Sequence, residues 1–381
     1  MMKRFIGKIH LWLGLASGII VFIVSVTGCI YVFSKEITDA RRHNAAHVET
    51  VGENTIPVSR LWEIAQKELG AEKQISWANI YNSPDKSWVF YSYKTNPEGL
   101  TYFKTIEYYT SVYLNPYSGE VKARMDEKYD FFNIIKMLHW SLLLSTPVGQ
   151  PIVGWSTLIF VILLLSGLVL WWPKSFRSAK NLFRFQWEKS TPGHRKIYDL
   201  HNILGFYSLV FALVVALTGM VWAFTWFQSA VYVAASGTTT PPDRSQEKSV
   251  PSESAEGNAP DKAFKYIRGN YAGAAGFRIV PPADSLAPLN VYVQQKDGLY
   301  YMTHELQFDQ YSGALLKARN HSDKNAGEKL ITANYDIHVG AIGGIPGKII
   351  AFLVSLISAS LPVTGFLVWW NKRKNRRKPL F

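Results

Sequence analysis

Four apolar stretches, each about as long as a helix needs to cross a hydrocarbon core of ~30 Å, constrain this chain more than any other feature. They run from Trp12 to Phe33, Gly149 to Trp172, Ile203 to about Phe227 and Lys348 to Trp370. Lipid offers no hydrogen-bond partners, so each stretch must satisfy its own backbone and is expected to be helical. With 381 residues, 48% of them hydrophobic, the chain reads as an integral membrane protein rather than a soluble globule. The first stretch is too long for the apolar region of a secretory signal and lacks a convincing cleavage signal, so it is expected to remain as an anchor.

Basic residues orient the helices, because short loops rich in Lys and Arg stay in the cytoplasm. They gather at Lys3, Arg4 and Lys8, at Lys174, Arg177, Lys180, Arg184, Lys189, Arg195 and Lys196, and at Lys372, Arg373, Lys374, Arg376, Arg377 and Lys378. Both termini and the middle loop therefore face inward, and the two long loops face outward. The net charge of +13 flanks apolar helices instead of lying between aromatic strand positions. That pattern argues for acidic lipid as the partner of these charges and against nucleic acid.

One motif occurs twice with identical spacing. Arg4, His10, Gly14, Thr27 and Gly28 follow R-x5-H-x3-G-x12-T-G, and so do Arg195, His201, Gly205, Thr218 and Gly219. A second matched set is His139, Gly149, Ser166, Gly167 and Trp171-Trp172 against His338, Gly347, Thr364, Gly365 and Trp369-Trp370. His10 and His201 begin outward-running helices, while His139 and His338 precede inward-running ones. Two pairs follow, His10 with His201 on the cytoplasmic side and His139 with His338 on the outer side, each related by a pseudo-twofold axis along the membrane normal.

Ionisable groups at membrane depth are costly and usually functional. Two imidazoles make a poor zinc site, which wants four donors, but haem brings four nitrogens and needs only two axial ligands. Two haem b groups are therefore expected, held by His10/His201 and His139/His338. The only cysteine, Cys29, rules out intrachain disulfides and C-x-x-C-H attachment. Small residues from Gly14 to Gly28 and from Gly205 to Gly219 leave one face of each helix bare enough for a flat macrocycle. Arg4, Lys8, Arg195 and Lys196 are placed to meet its propionates. The plainer alternatives are helix packing through small residues and histidines serving as interfacial anchors. His43 and His47 stand at helical spacing on a solvated face, and His194, His304 and His321 receive no role. The twin tryptophans are expected in the headgroup belt.

The expected fold is a four-helix transmembrane bundle made of two duplicated halves, carrying two α+β extracytoplasmic domains. Its parts are a helix at 1–33, a first outer domain at 34–130, an interfacial segment and helix at 131–173, and a basic inner loop at 174–200. A helix at 201–229, a flexible linker at 230–262, a second outer domain at 263–334, an interfacial segment and helix at 335–371 and a basic tail at 372–381 complete it. In the first outer domain, Ser59 to Leu69 has helical periodicity, while Ser87 to Tyr93 and Tyr108 to Leu114 alternate as strands do. Both outer domains end in Tyr-Ser-Gly turns, within Val112–Val121 and Leu306–Leu315. Ser145–Pro151 and Gly340–Gly347 are expected to separate a histidine-bearing segment from the spanning helix.

K-I-H-L-W-L-G-L at Lys8–Leu15, the Tyr-Ser-Gly endings, S-G-L-V-L-W-W-P at Ser166–Pro173 and G-F-L-V-W-W at Gly365–Trp370 carry a family resemblance. The chain resembles the PepSY-associated transmembrane family, iron-regulated inner-membrane proteins that include ferric-siderophore reductases, over nearly its whole length. The resemblance implies PepSY-like outer domains, a multi-pass protein of the bacterial inner membrane, and a di-haem oxidoreductase passing electrons outward to free iron from a ferric siderophore. It implies the same ligands, His10, His139, His201 and His338. No G-x-G-x-x-G follows a strand, so a quinol or a separate cytoplasmic reductase is expected as donor. The acceptor is expected in a cleft between the outer domains, lined by some of Trp77, Tyr81, Tyr102, Tyr109, Phe277 and Tyr292. The competing reading is a non-enzymatic scaffold whose outer domains bind a partner; transport of the chelate is a weaker third.

Overall fold

The structure, a computed structural model, describes residues 1–173, 183–251 and 258–376. Lys174, Arg177, Lys180, Arg377 and Lys378 of the basic clusters lie outside the described residues. The helices are α1 (Met2–Tyr31), α2 (Ser34–Arg41), α3 (His43–Ala46), α4 (Val58–Leu69), α5 (Tyr102–Thr105), α6 (Phe131–Ser141), α7 (Thr146–Trp171), α8 (Gly193–Ala223), α9 (Thr225–Ser236), α10 (Ala259–Asn270), α11 (Ala326–His338) and α12 (Gly344–Arg376). The strands are β1 (Trp77–Tyr81), β2 (Trp88–Thr95), β3 (Ile106–Leu114), β4 (Val121–Asp126), β5 (Gly276–Val280), β6 (Leu289–Gln294), β7 (Thr303–Phe308) and β8 (Leu315–Arg319). The chain divides into two compact units, 1–33 with 135–228 and 337–381, and 34–134 with 229–336.

Among the described residues the first unit contains the four helices long and apolar enough to cross a membrane, in α1, α7, α8 and α12. They form a closed ring in which α1 and α8 each pack against both α7 and α12. Ile19, Phe22, Val210, Phe211, Leu353 and Leu356 remain exposed on the spanning helices, as apolar side chains facing lipid should. The chain is a multi-pass membrane protein in contact with the bilayer.

Small residues let these helices approach closely. A Cβ added at Gly18 would lie 3.4 Å from Pro362 Cβ, and one at Gly205 would lie 3.5 Å from Leu361 Cδ2. Ser17, Ser208, Ala212 and Ala216 are buried. Part of the small-residue stripe expected to lie bare is thus taken up by packing within the bundle. The helices also overrun their apolar windows, α1 starting at Met2 and α8 at Gly193. The third helix stops at Ala223, short of Phe227, because Phe224 takes an extended conformation before α9 begins.

The segments that carry His139 and His338 are separate from the spanning helices, although the first break falls ahead of the expected Ser145–Pro151, most of which is the start of α7. Between α6 and α7 the chain turns through Leu142 and Leu143, both left-handed at φ 57° and 60°. Gly149 then passes so close to the Ser141 carbonyl that any Cβ would collide with it, and Gly347 meets the Gly340 carbonyl in the same way. Only glycine permits either re-entry.

The second unit differs from the expectation of two separate outer domains. Its strands form one antiparallel eight-stranded sheet in the order β4-β3-β2-β1-β5-β6-β7-β8, joined by the pairing of β1 with β5 from Ala78–Ile279 to Tyr81–Gly276. Alternation sends Ile80, Phe90, Ile279, Val291 and Phe308 to one face, where α4 and α10 cover them with Leu61, Ala65, Ala263 and Ile267 in a single core. The Ser59 backbone N–H donates to Asp261 Oδ1 at 2.9 Å, tying α4 to α10. The two Tyr-Ser-Gly turns are built alike. Asn115 Oδ1 accepts from Tyr117 and Ser118 before Gly119 at φ 74°, and Asp309 Oδ1 accepts from Tyr311 and Ser312 before Gly313 at φ 69°.

The segment expected to be a flexible linker is partly held. Its start belongs to α9, and Ser249 is buried, its N–H on Leu286 O at 2.9 Å and its hydroxyl on Ala287 O at 3.0 Å. The Val250 N–H donates to Asp309 Oδ2 at 2.8 Å. Polar composition removes apolar anchors but leaves hydrogen bonding to the sheet available, and this stretch uses it.

Candidate functional site

The bundle brings the four repeated histidines together as two pairs. The ring centroids of His10 and His201 are 6.5 Å apart with planes crossed at 87°, and those of His139 and His338 are 6.0 Å apart at 70°. Thr27, the neighbour of His139, is seventeen residues along α1 from His10, about 25 Å at the helical rise. The pairs therefore occupy opposite ends of the bundle.

Each imidazole is clamped through Nδ1 by a hydroxyl on another helix. His10 Nδ1 is 2.9 Å from Ser166 Oγ on α7, and His201 Nδ1 is 2.9 Å from Thr364 Oγ1 on α12. His139 Nδ1 lies 3.2 Å from Thr27 Oγ1 on α1 and His338 Nδ1 2.9 Å from Thr218 Oγ1 on α8. The hydroxyl hydrogens are already given to carbonyls one turn back, Ile23 at 2.7 Å for Thr27, Val214 at 2.8 Å for Thr218, Ser360 at 2.8 Å for Thr364 and Leu163 at 3.2 Å for Ser166. That leaves the hydroxyl oxygens free to accept from Nδ1–H. His139 and His338 also donate to the Val24 and Val215 carbonyls, at 2.9 and 3.0 Å, which can only accept. For His139 and His338 these carbonyls put the proton on Nδ1 and leave Nε2 its lone pair, and the back-bonded hydroxyls favour the same tautomer at His10 and His201.

The residue after each hydroxyl is glycine, and there the ring edge rests. A Cβ at Gly28 would be 3.4 Å from His139 Cε1, at Gly167 3.4 Å from His10 Cε1, at Gly219 3.6 Å from His338 Cε1 and at Gly365 3.2 Å from His201 Cε1. Threonine or serine followed by glycine thus forms one repeated imidazole seat. The spacing of the matched sets was visible in the sequence, but the role of the hydroxyls was not. Their signal was the recurrence of Thr-Gly or Ser-Gly once per span.

The spacing of each pair matches what a metal held by two imidazoles requires. Two imidazoles on opposite sides of one metal, with bonds of about 2.0 Å, hold their centroids about 6.3 Å apart. The observed separations bracket that figure. Among the described residues no group of three or more His, Cys, Asp or Glu side chains could hold a metal ion, so a protein-only site would lack donors. A macrocycle that brings its own four nitrogens needs only what each pair offers.

The other expected residues divide. Arg195 Nε is 3.0 Å from Asp199 Oδ1 and its guanidinium lies over Tyr198, while Arg4 is exposed. His43 and His47 stack at 4.3 Å, and His47 Nδ1 bonds the His43 carbonyl. Trp171 stacks on Phe206 at 4.1 Å, while Trp172 and Trp370 are exposed. Of the six aromatics expected around the acceptor, Phe277 is in the core against Phe264 and Tyr102 is buried with its hydroxyl on Lys128 O. Trp77, Tyr81, Tyr109 and Tyr292 share the opposite sheet face, where Trp77 stacks on Tyr91 at 5.0 Å beneath the Arg278 guanidinium at 5.7 Å. Since β1 and β5 pair, this surface replaces the cleft expected between separate domains.

No curated protein matches the chain. A family model described as the PepSY-associated TM region matches residues 8–372. Spanning nearly the whole sequence, that match places the chain in the PepSY-associated TM family.

Proposed function

We propose that this protein is a di-haem b electron-transfer protein of the bacterial inner membrane, an oxidoreductase that reduces ferric siderophore in the periplasm and releases Fe(II). The observation that carries the reading is the pairing of His10 with His201 and of His139 with His338 at the two ends of the bundle, at 6.5 and 6.0 Å. His10 with His201 and His139 with His338 would each hold a haem, which would supply one-electron chemistry.

The chain's own residues supply direction, spacing and access. Basic residues at the N-terminus, at Arg184 to Lys196 and from Lys372 onward put both termini in the cytoplasm, with His10 and His201 on that side and His139 and His338 on the outer side. The four matched imidazole seats support duplicated halves, and the outer unit is read as two fused PepSY-like segments. Trp77, Tyr81, Tyr109 and Tyr292 with Arg278 offer the chelate flat aromatic surface and a cation. Reduction of Fe(III) weakens its hold by hard oxygen donors, so one electron suffices for release. A quinol or a cytoplasmic reductase would be the donor.

Visible spectra of the purified protein and its variants test the assignment. His10→Ala and His201→Ala should each lose one haem and keep the other, and His139→Ala and His338→Ala should lose the complementary one. A colourless wild-type protein would favour the scaffold reading, in which the outer unit binds a partner and the histidines have no redox role.

A further inference from the structure

We infer that the hydroxyls of Thr27, Ser166, Thr218 and Thr364 are positioning residues that set the donor strength of the imidazole each one holds, and through it the reduction potential of each site; this rests on the two-haem reading above.

Serine and threonine in a helix commonly bond the carbonyl one turn back, which is structural housekeeping. All four do so here. Back-bonding alone does not bring an imidazole from another helix to the same oxygen, yet one stands there at 2.9 to 3.2 Å at every seat. The back-bond also has an electronic consequence. By consuming the hydroxyl hydrogen, it leaves the oxygen solely an acceptor, so Nδ1 is kept as donor and Nε2 as the ligating atom. An acceptor on Nδ1–H makes the imidazole more basic and favours the ferric form of the iron it binds, which lowers the potential.

The seats differ in a way that predicts an order of effects. His139 and His338 each have a second acceptor in the Val24 and Val215 carbonyls. His201 has the Leu361 carbonyl nearby as a second backbone partner. Among the described residues, His10 has Ser166 Oγ alone as its hydrogen-bond partner. Loss of the hydroxyl at Ser166 should therefore change its imidazole most, and loss at Thr27 or Thr218 least.

Potentiometric titration of the full-length protein in detergent, followed in the visible spectrum, reads this directly. Ser166→Ala should keep both haems and raise the potential of the His10/His201 site alone. Thr364→Val, nearly isosteric, should raise the same site by less, and Thr27→Val and Thr218→Val should raise the other site by the smallest amounts. Ser166→Thr and Thr27→Ser should restore wild-type values, since the hydroxyl returns. Full haem content with unmoved potentials in both Ser166→Ala and Thr364→Val would overturn the inference, as would a shift confined to the remote site. If Ser166→Ala fails to assemble, Thr364→Val carries the test at the same site. A wild-type chain that binds no haem fails differently, because it removes the two-haem reading itself.

Discussion

Each imidazole seat depends on a residue with no side chain. At Gly365 a Cβ would come within 3.2 Å of His201 Cε1, tighter than at the other three seats, so the ring would have to move. Gly365→Ala is expected to lower occupancy of the His10/His201 site while the other site stays full, as haem content of the purified protein would show; equal loss at both sites would contradict this. A different dependence holds in the second unit. Arg42 binds Glu127 through both carboxylate oxygens at 2.5 and 3.0 Å and Asp130 at 2.9 Å, and all three side chains are nearly buried. Arg42→Met would leave the buried Glu127 without its cation, while Asp130 keeps Arg41, at a cost of about 3–5 kcal/mol measurable by denaturant unfolding. Burial, with the neighbouring His321 and Lys324 charges, holds His304 below its ordinary 6.5, despite a hydrogen bond to Asn320 that works the other way. Its neutral form is the one the fold accommodates, so as pH falls below about 6.5 the unfolded chain takes up a proton that the folded one refuses. Stability of the second unit should decline through that window, and His304→Gln should flatten the decline.

Helices, hairpins and re-entrant breaks were legible because their signals are local. Periodicity at Ser59–Leu69 matches α4, alternation at Ser87–Tyr93 overlaps β2 from Trp88 on and that at Tyr108–Leu114 falls within β3, and Asn115 and Asp309 each cap a turn closed by glycine. The pairing of β1 with β5 was not legible. It joins Ala78 to Ile279 across the intervening membrane helices, and nothing in either five-residue strand names its partner. Ile279 is fully buried in the core that both sets of strands share. Ile279→Ala should cost about 2–5 kcal/mol and speed hydrogen exchange in β1–β4 as well as in β5–β8. Acceleration confined to β5–β8 would mean the halves are energetically separate. The held segment before α10 escaped detection for a related reason, since its partners Leu286, Ala287 and Asp309 lie far along the chain.

Four spans in a closed ring place two identical kinds of histidine seat at opposite ends of one bundle. That much could be anticipated, because matched spacing on helices of opposite direction determines both depth and pairing. What spacing could not convey is how a ring is held, which depends on contacts between α1 and α6, α7 and α1, α8 and α11, and α12 and α8. The extramembrane sheet adds a single aromatic face where two cleft walls were expected. Membership of the PepSY-associated TM family and the membrane-spanning helices stand on direct findings. The proposed electron-transfer role rests on the imidazole pairs, and the most direct test of it is the ratio of haem to protein in the purified full-length chain, with a low-spin spectrum recorded on the same sample. The prediction is two low-spin haems per chain, falling to one in any single variant of His10, His139, His201 or His338. A wild-type chain that purifies without haem, or keeps two haems after loss of any of these histidines, would contradict it.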